Sequence, residues 1–145
     1  MTTQLTGQLV QSIVDNRNGL YDVVYLYGKE ESVSLLLDVV VLTASAQLDK
    51  KVTRIKAGFL ADEWCRDILQ GRKLAMPEGD ILIMENIHEV AGREHMEQLL
   101  YGLFDRFLES HRRLIITGNV PTAQILLLAE RIRAQIDGGV AFCLE

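Results

Sequence analysis

Three short stretches hold residues whose types could do chemistry, and each follows an apolar run. The first is Tyr27-Gly28-Lys29-Glu30-Glu31-Ser32, a glycine and a lysine beside two carboxylates. The second is Met84-Glu85-Asn86-Ile87-His88, and the third is Thr117-Gly118-Asn119-Val120-Pro121. Glycine and lysine at the start of a helix can hold phosphate, because glycine lets backbone N–H groups close on the anion and lysine neutralises it. Other candidates are thinner. His88-Glu89 begins like a zinc-binding H-E-x-x-H helix, but Gly92 stands where the second histidine is needed, which argues against a metal. His95 and His111 read as solvated helix-end residues. Cys65 has no local partner for nucleophilic catalysis and reads, beside Trp64, as helix packing. Trp64 itself is expected half buried, with an anchor for a partner as the alternative. Arg112-Arg113 reads as a solvated pair, with a small anion patch as the alternative.

The elements that must position these residues follow from apolar patterning. Residues 22–27, 51–55, 80–84, 113–117 and 140–144 form five runs, most of them rich in β-branched or aromatic residues and short enough for strands. The third and fourth are apolar continuously, the mark of strands covered on both faces. Residues 94–110 carry Met96, Leu99, Leu100, Leu103, Phe104, Phe107 and Leu108 at the three-and-four spacing of one helix face. Leu5, Leu9, Val10, Ile13 and Val14 predict a short amphipathic helix ahead of the first strand. Pro121 predicts the first turn of another, with Ile125, Leu128, Ala129 and Ile132 behind it. Residues 62–69 also read as helix. Residues 32–47 show no clean period; lying between two strands and too long for one, they are read as a helix that is apolar all round. Helix and strand alternate through five strands, which implies an α/β three-layer sandwich with a parallel sheet.

Composition bounds the function. The chain has 145 residues, 48% of them apolar, enough for one core, and is read as a single domain over residues 1–145. Fifteen Lys+Arg against twenty Asp+Glu leave a net charge of −5, the wrong sign for a protein whose main task is gripping phosphate backbones. Cys65 and Cys143 are expected to be buried free thiols of a reducing compartment. The Met1–Thr6 segment carries no signal-peptide pattern. The greasiest stretch, residues 33–42, contains Asp38 and is about ten residues long, too short to span a bilayer. A cytoplasmic protein without membrane contact is expected.

At the strand ends the residues carry a resemblance. The run Asp80-Ile-Leu-Ile-Met-Glu-Asn-Ile-His-Glu-Val-Ala-Gly-Arg-Glu94 resembles the Walker B segment of the bacterial replication-initiator family of DnaA and its shorter relative Hda. Leu114-Ile-Ile-Thr-Gly-Asn-Val-Pro121 is similar to their sensor 1 strand. Leu128-Ala-Glu-Arg-Ile-Arg-Ala-Gln-Ile-Asp-Gly-Gly-Val140 is similar to their arginine-bearing segment, and Tyr25-Leu-Tyr-Gly28 to the entry of their phosphate loop. The resemblance runs from about Asp22 to Leu144. It implies a P-loop NTPase or AAA+ core without the lid domain, and strands in the order 5-1-4-3-2.

Departures from the family pattern fall where the chemistry would be. A phosphate loop needs G-x-x-x-x-G-K-[ST]. Aligned from Gly28, Glu31 and Val33 stand near the later glycine, Ser34 at the lysine and Leu35 at the hydroxyl. Taking Gly28-Lys29 as the motif's own Gly-Lys puts Val23 at the first glycine and Glu30 at the hydroxyl. The two Walker B acids map onto Glu85 and Asn86, the sensor 1 aspartate onto Asn119, and the arginine finger onto Gln135, while Arg131 and Arg133 remain. The expectation is therefore a non-catalytic interaction or regulatory module in replication initiation, with no cofactor and no metal. Its partner would be a DnaA-like AAA+ protein or a second copy, and nucleic acid would be met only indirectly. The alternative is an atypical nucleotide-binding ATPase using Gly28, Lys29, Glu85, Asn86, Asn119, Arg131 and Arg133. An apolar helix over residues 32–47 also predicts a docking surface or self-association.

Overall fold

The computed structural model describes residues 3–145, with side chains from residue 7 onward. What the sequence predicts for Met1-Thr2 and for the Leu5 side chain lies outside the described residues. The elements run α1 (Thr3–Asp15), β1 (Val23–Gly28), α2 (Glu30–Leu48), β2 (Val52–Lys56), α3 (Ala57–Leu69), β3 (Ile81–Glu85), α4 (Glu94–Glu109), β4 (Arg113–Thr117), α5 (Glu130–Asp137) and β5 (Val140–Leu144). The strands form one parallel sheet, β2-β3-β4-β1-β5. Read from the other edge, this is the order 5-1-4-3-2.

Continuous apolar runs are explained by the two cores. Val23, Tyr25, Leu82, Met84, Leu114 and Ile116 point to one face, where α3, α4 and α5 cover them with Trp64, Leu100, Phe104, Phe107 and Ile132. Their neighbours Val24, Leu26, Ile81, Ile83 and Ile115 point to the other face, against Val10, Ile13, Val14, Val33, Leu36, Leu37 and Val40 of α1 and α2. Alternate side chains of a strand leave opposite sides of the sheet, so a strand covered twice must be apolar at every position.

The apolar stretch of residues 33–42 belongs to a 19-residue helix, long and apolar enough by those measures to cross a membrane. Five of its residues, Val33, Leu36, Leu37, Val40 and Ala44, are buried in the second core, the placement of a core helix. Its outer side is mixed rather than apolar all round: Leu35 is 61% and Leu42 70% exposed, but Glu31, Asp38, Ser45 and Gln47 are exposed beside them.

Several expectations are corrected. Pro121 does not open a long helix: residues 122–124 make a single 3-10 turn, and α5 begins only at Glu130. Between them Leu127 holds φ +66°, a backbone conformation that stops any helix from running through. Trp64 is 1% exposed rather than half buried, and its indole N–H donates to the Ala75 carbonyl at 3.1 Å. That leaves no free face for a partner anchor. Cys143 is exposed on the edge strand β5, and Cys65 is only partly buried. Arg112 and Arg113 are not the solvated pair expected, nor a small anion patch, because each is engaged by the protein. Arg112 lies 4.0 Å over the Phe107 ring. Arg113 is drawn inward and donates to the carbonyls of Ile13 and Tyr21, tying α1 to the sheet. Burial lowers the Arg113 pKa from the usual arginine value, with Asp22 opposing.

Candidate functional site

The carboxyl ends of β1, β3 and β4, the three central strands, open into a cleft of about 520 Å³. This is where ligands bind in open parallel sheets. Gly28, Glu30, Val33 and Ser34 line it from β1 and α2, Arg54 and Lys56 from β2, Glu85, Asn86 and His88 from the end of β3 onward, and Thr117, Gly118 and Asn119 from the end of β4 onward.

The β1–α2 junction decides what the cleft can hold. Gly28 closes the strand with φ +117°, Lys29 is the only connecting residue, and Glu30 starts the helix. The Lys29 N–H donates to the Leu144 carbonyl at 2.7 Å, which pins the junction to β5. Neither alignment of the phosphate-loop motif can be laid on this geometry, because no residues loop out between strand and helix. Gly28 has its own local reason: a Cβ there would meet the Leu144 carbonyl oxygen at 2.1 Å. Glu30 and Glu31 occupy the first turn of α2. Carboxylates there favour the helix's positive end, the electrostatic role a bound phosphate would otherwise play. Lys29, with 64% of its side chain exposed, pairs with Glu31 at 3.9 Å.

Glu85 is engaged by protein. The Arg54 guanidinium grips it with two bonds, Nε to Oε2 at 3.1 Å and Nη2 to Oε1 at 3.2 Å. The same guanidinium donates through Nη1 to Asp38 Oδ1 at 2.6 Å. The bond to Glu85 raises the Arg54 pKa further, against the opposing effect of burial. Asn86 takes a left-handed conformation, φ 60°, which asparagine tolerates better than most residues. Its N–H donates to Thr117 Oγ1 at 3.0 Å, joining the β3 and β4 ends. His88 lines the cleft, with a buried Nδ1 that has no hydrogen-bond partner among the described residues. His95 and His111 are exposed, as expected. Among the described residues no three His, Cys, Asp or Glu side chains gather to hold a metal.

The structure thus brings Gly28, Glu85, Asn86 and Asn119 to one cleft. Arg131 and Arg133 lie apart on α5, where Arg131 stacks 4.3 Å over Tyr101 and Arg133 donates to the carbonyls of Thr122 and Ile125. Gln135 donates to the Tyr101 carbonyl at 3.2 Å. A magnesium triphosphate does not fit these residues. Such a ligand needs a backbone cradle and lysine for its phosphates, and a hydroxyl and a Walker B carboxylate for its metal. Here the cradle has no chain to form it, and the carboxylate is already bound by a guanidinium. Sequence reasoning missed Arg54 and Asp38. Each is a charge inside an apolar run, and that was the available signal.

Sheet order, the covering helices and the cleft define a P-loop-type α/β core of the AAA+ kind. The model of the bacterial DnaA ATPase domain matches residues 2–143, and the chain belongs to that family. A curated relative, the chromosomal replication initiator protein DnaA of Psychromonas ingrahamii, is 22% identical over 141 residues. The match covers 93% of this chain and 31% of the relative, so the chain spans less than a third of that protein's length. Among solved structures, a DNA replication initiation factor superposes with a TM-score of 0.84 at 15% identity, covering 98% of this chain and 46% of that one. The DnaC helicase loader gives 0.79 at 12% identity, covering 98% and 89%. At such identities the likeness establishes the fold.

Proposed function

We propose that this chain is a DnaA-type AAA+ core that acts in replication initiation or its regulation without hydrolysing ATP, by docking on an AAA+ protein or on a second copy of itself. The observation that carries the reading is the one-residue junction between β1 and α2, with Glu30 and Glu31 at the helix start. A triphosphate there meets two carboxylates instead of a backbone cradle. Each like-charge approach at about 4 Å costs roughly 4 kcal/mol at an effective dielectric near 20. Asn86 and Gln135, at the positions of the second acid and the arginine finger, supply neither a general base nor a trans cation. The exposed Leu35 and Leu42 of α2, and Leu126 and Leu127 before α5, support a docking role. The net charge of −5 favours contact with nucleic acid through a partner rather than directly. The replication setting is cytoplasmic and comes from the family.

Calorimetric titration with Mg·ATP tests the reading. No binding tighter than about millimolar is expected, a level worth only ~4 kcal/mol. Ser34→Lys alone should not create affinity, because the loop is still missing. Micromolar binding by the unaltered chain would overturn the proposal in favour of an atypical ATPase built on Gly28, Glu85, Asn86 and Asn119.

A further inference from the structure

We infer that the Arg54 guanidinium is a built-in replacement for the divalent cation of this cleft, fixing Glu85 and closing the metal position. The inference rests on the reading that the cleft carries no magnesium nucleotide, and it adds how the cation's place is filled. Arg54 stands on β2 between Asp38 of α2 and Glu85 of β3, bonded to both at 2.6–3.2 Å. A guanidinium offers planar paired donors where a metal would offer one charge, and two parallel bonds to a carboxylate set its orientation as well as its energy. Glu85 has only 16% of its side chain exposed, so an unpaired charge there would be costly; Arg54 removes that cost without an exchangeable ion. Tying α2, β2 and β3 together, the arginine holds the cleft in one arrangement at any metal concentration. Ser34 and Thr117 line the same cleft as Glu85 and carry hydroxyls, the hard oxygen type that divalent cations take.

Removing the guanidinium should therefore expose a latent metal position. The test titrates Mn2+ alone, without nucleotide, into the unaltered chain, Arg54→Ala and the double variant Arg54→Ala/Glu85→Gln, reading free Mn2+ by electron paramagnetic resonance and the melting temperature in parallel. Arg54→Ala should bind Mn2+ at least about tenfold more tightly than the unaltered chain and melt higher in its presence. The double variant should lose both responses. If Arg54→Ala folds only when Mn2+ is added, that rescue is the same result. Sub-millimolar Mn2+ binding by the unaltered chain would overturn the inference, as would an Arg54→Ala chain, folded or not, that fails to respond to the ion. ATP binding by a chain that still ignores Mn2+ would instead sink the proposed function and leave the role of Arg54 standing.

Discussion

Gly28→Ala separates a glycine kept for phosphate from one kept for packing. The added Cβ would lie 2.1 Å from the Leu144 carbonyl oxygen, 2.9 Å from its nitrogen and 3.0 Å from its carbonyl carbon, all backbone atoms that cannot rotate away. Relief requires β1 and β5 to separate by about an ångström, which breaks the 2.7 Å bond from the Lys29 N–H to Leu144. That bond is worth about 1 kcal/mol. A non-glycine residue at φ +117° adds about 1–3 kcal/mol of backbone strain. Together the change should cost about 2–4 kcal/mol, a large part of the stability of a typical domain. For a chain of this size the melting temperature should fall by roughly 10 °C. Urea unfolding followed by circular dichroism measures the loss, and the slope of the transition should not change, since the surface exposed on unfolding is the same. A loss under about 1 kcal/mol would refute the argument, because it would mean β5 does not pass against this glycine as described.

Two further outcomes rest on other parts of the fold. Glu97, 5% exposed on α4, accepts the Ala129 N–H at 2.7 Å and so caps the start of α5 from a neighbouring helix. Glu97→Ala should cost about 2–3 kcal/mol in urea unfolding, through a lost charge-assisted bond and a lost helix-dipole contact, and Glu97→Gln clearly less; equal losses would remove charge from the account. Burial first, then the charges of Tyr27 and Asp137, raise the Tyr25 pKa above its ordinary value near 10. Above about pH 10 the unfolded phenol gives up a proton that the folded one keeps, so stability falls as pH rises, by up to ~1.4 kcal/mol per unit. Tyr25→Phe should flatten that alkaline decline, and parallel slopes in the two proteins would refute the assignment.

Strand positions were the most legible part of the sequence, because double burial leaves no polar residue inside β3 or β4 to blur the signal. Sheet order came with the resemblance, since apolar runs say nothing about which neighbour each strand takes. Asn86 and Asn119 were found at the cleft because strand ends are where ligands sit. The β1–α2 junction was not legible: an ungapped reading keeps the motif's length, and only the backbone shows that Lys29 alone joins strand to helix. The stretch after Pro121 misled because Ile125, Leu128 and Ile132 have helical spacing. They are buried, but only Ile132 lies in a helix; Ile125 and Leu128 reach the core from irregular chain. Arg113 looked solvated because charge suggests water, whereas two backbone carbonyls receive it inside.

The sheet order also sets a timetable for the nascent chain. β1 lies between β4 and β5, so Val24 must wait for Ile115 and then Val140 before either side of its strand is paired. Over a hundred residues separate Val24 from Val140, which at about 5–20 residues per second is on the order of ten seconds of synthesis. Throughout that interval α2 has been made, but the β3, β4 and β5 side chains it buries against have not all emerged. A ribosome therefore carries a greasy nineteen-residue helix with only α1 and β1 to cover it, and yield should depend on chaperones that shelter such segments more than on the stability of the finished fold.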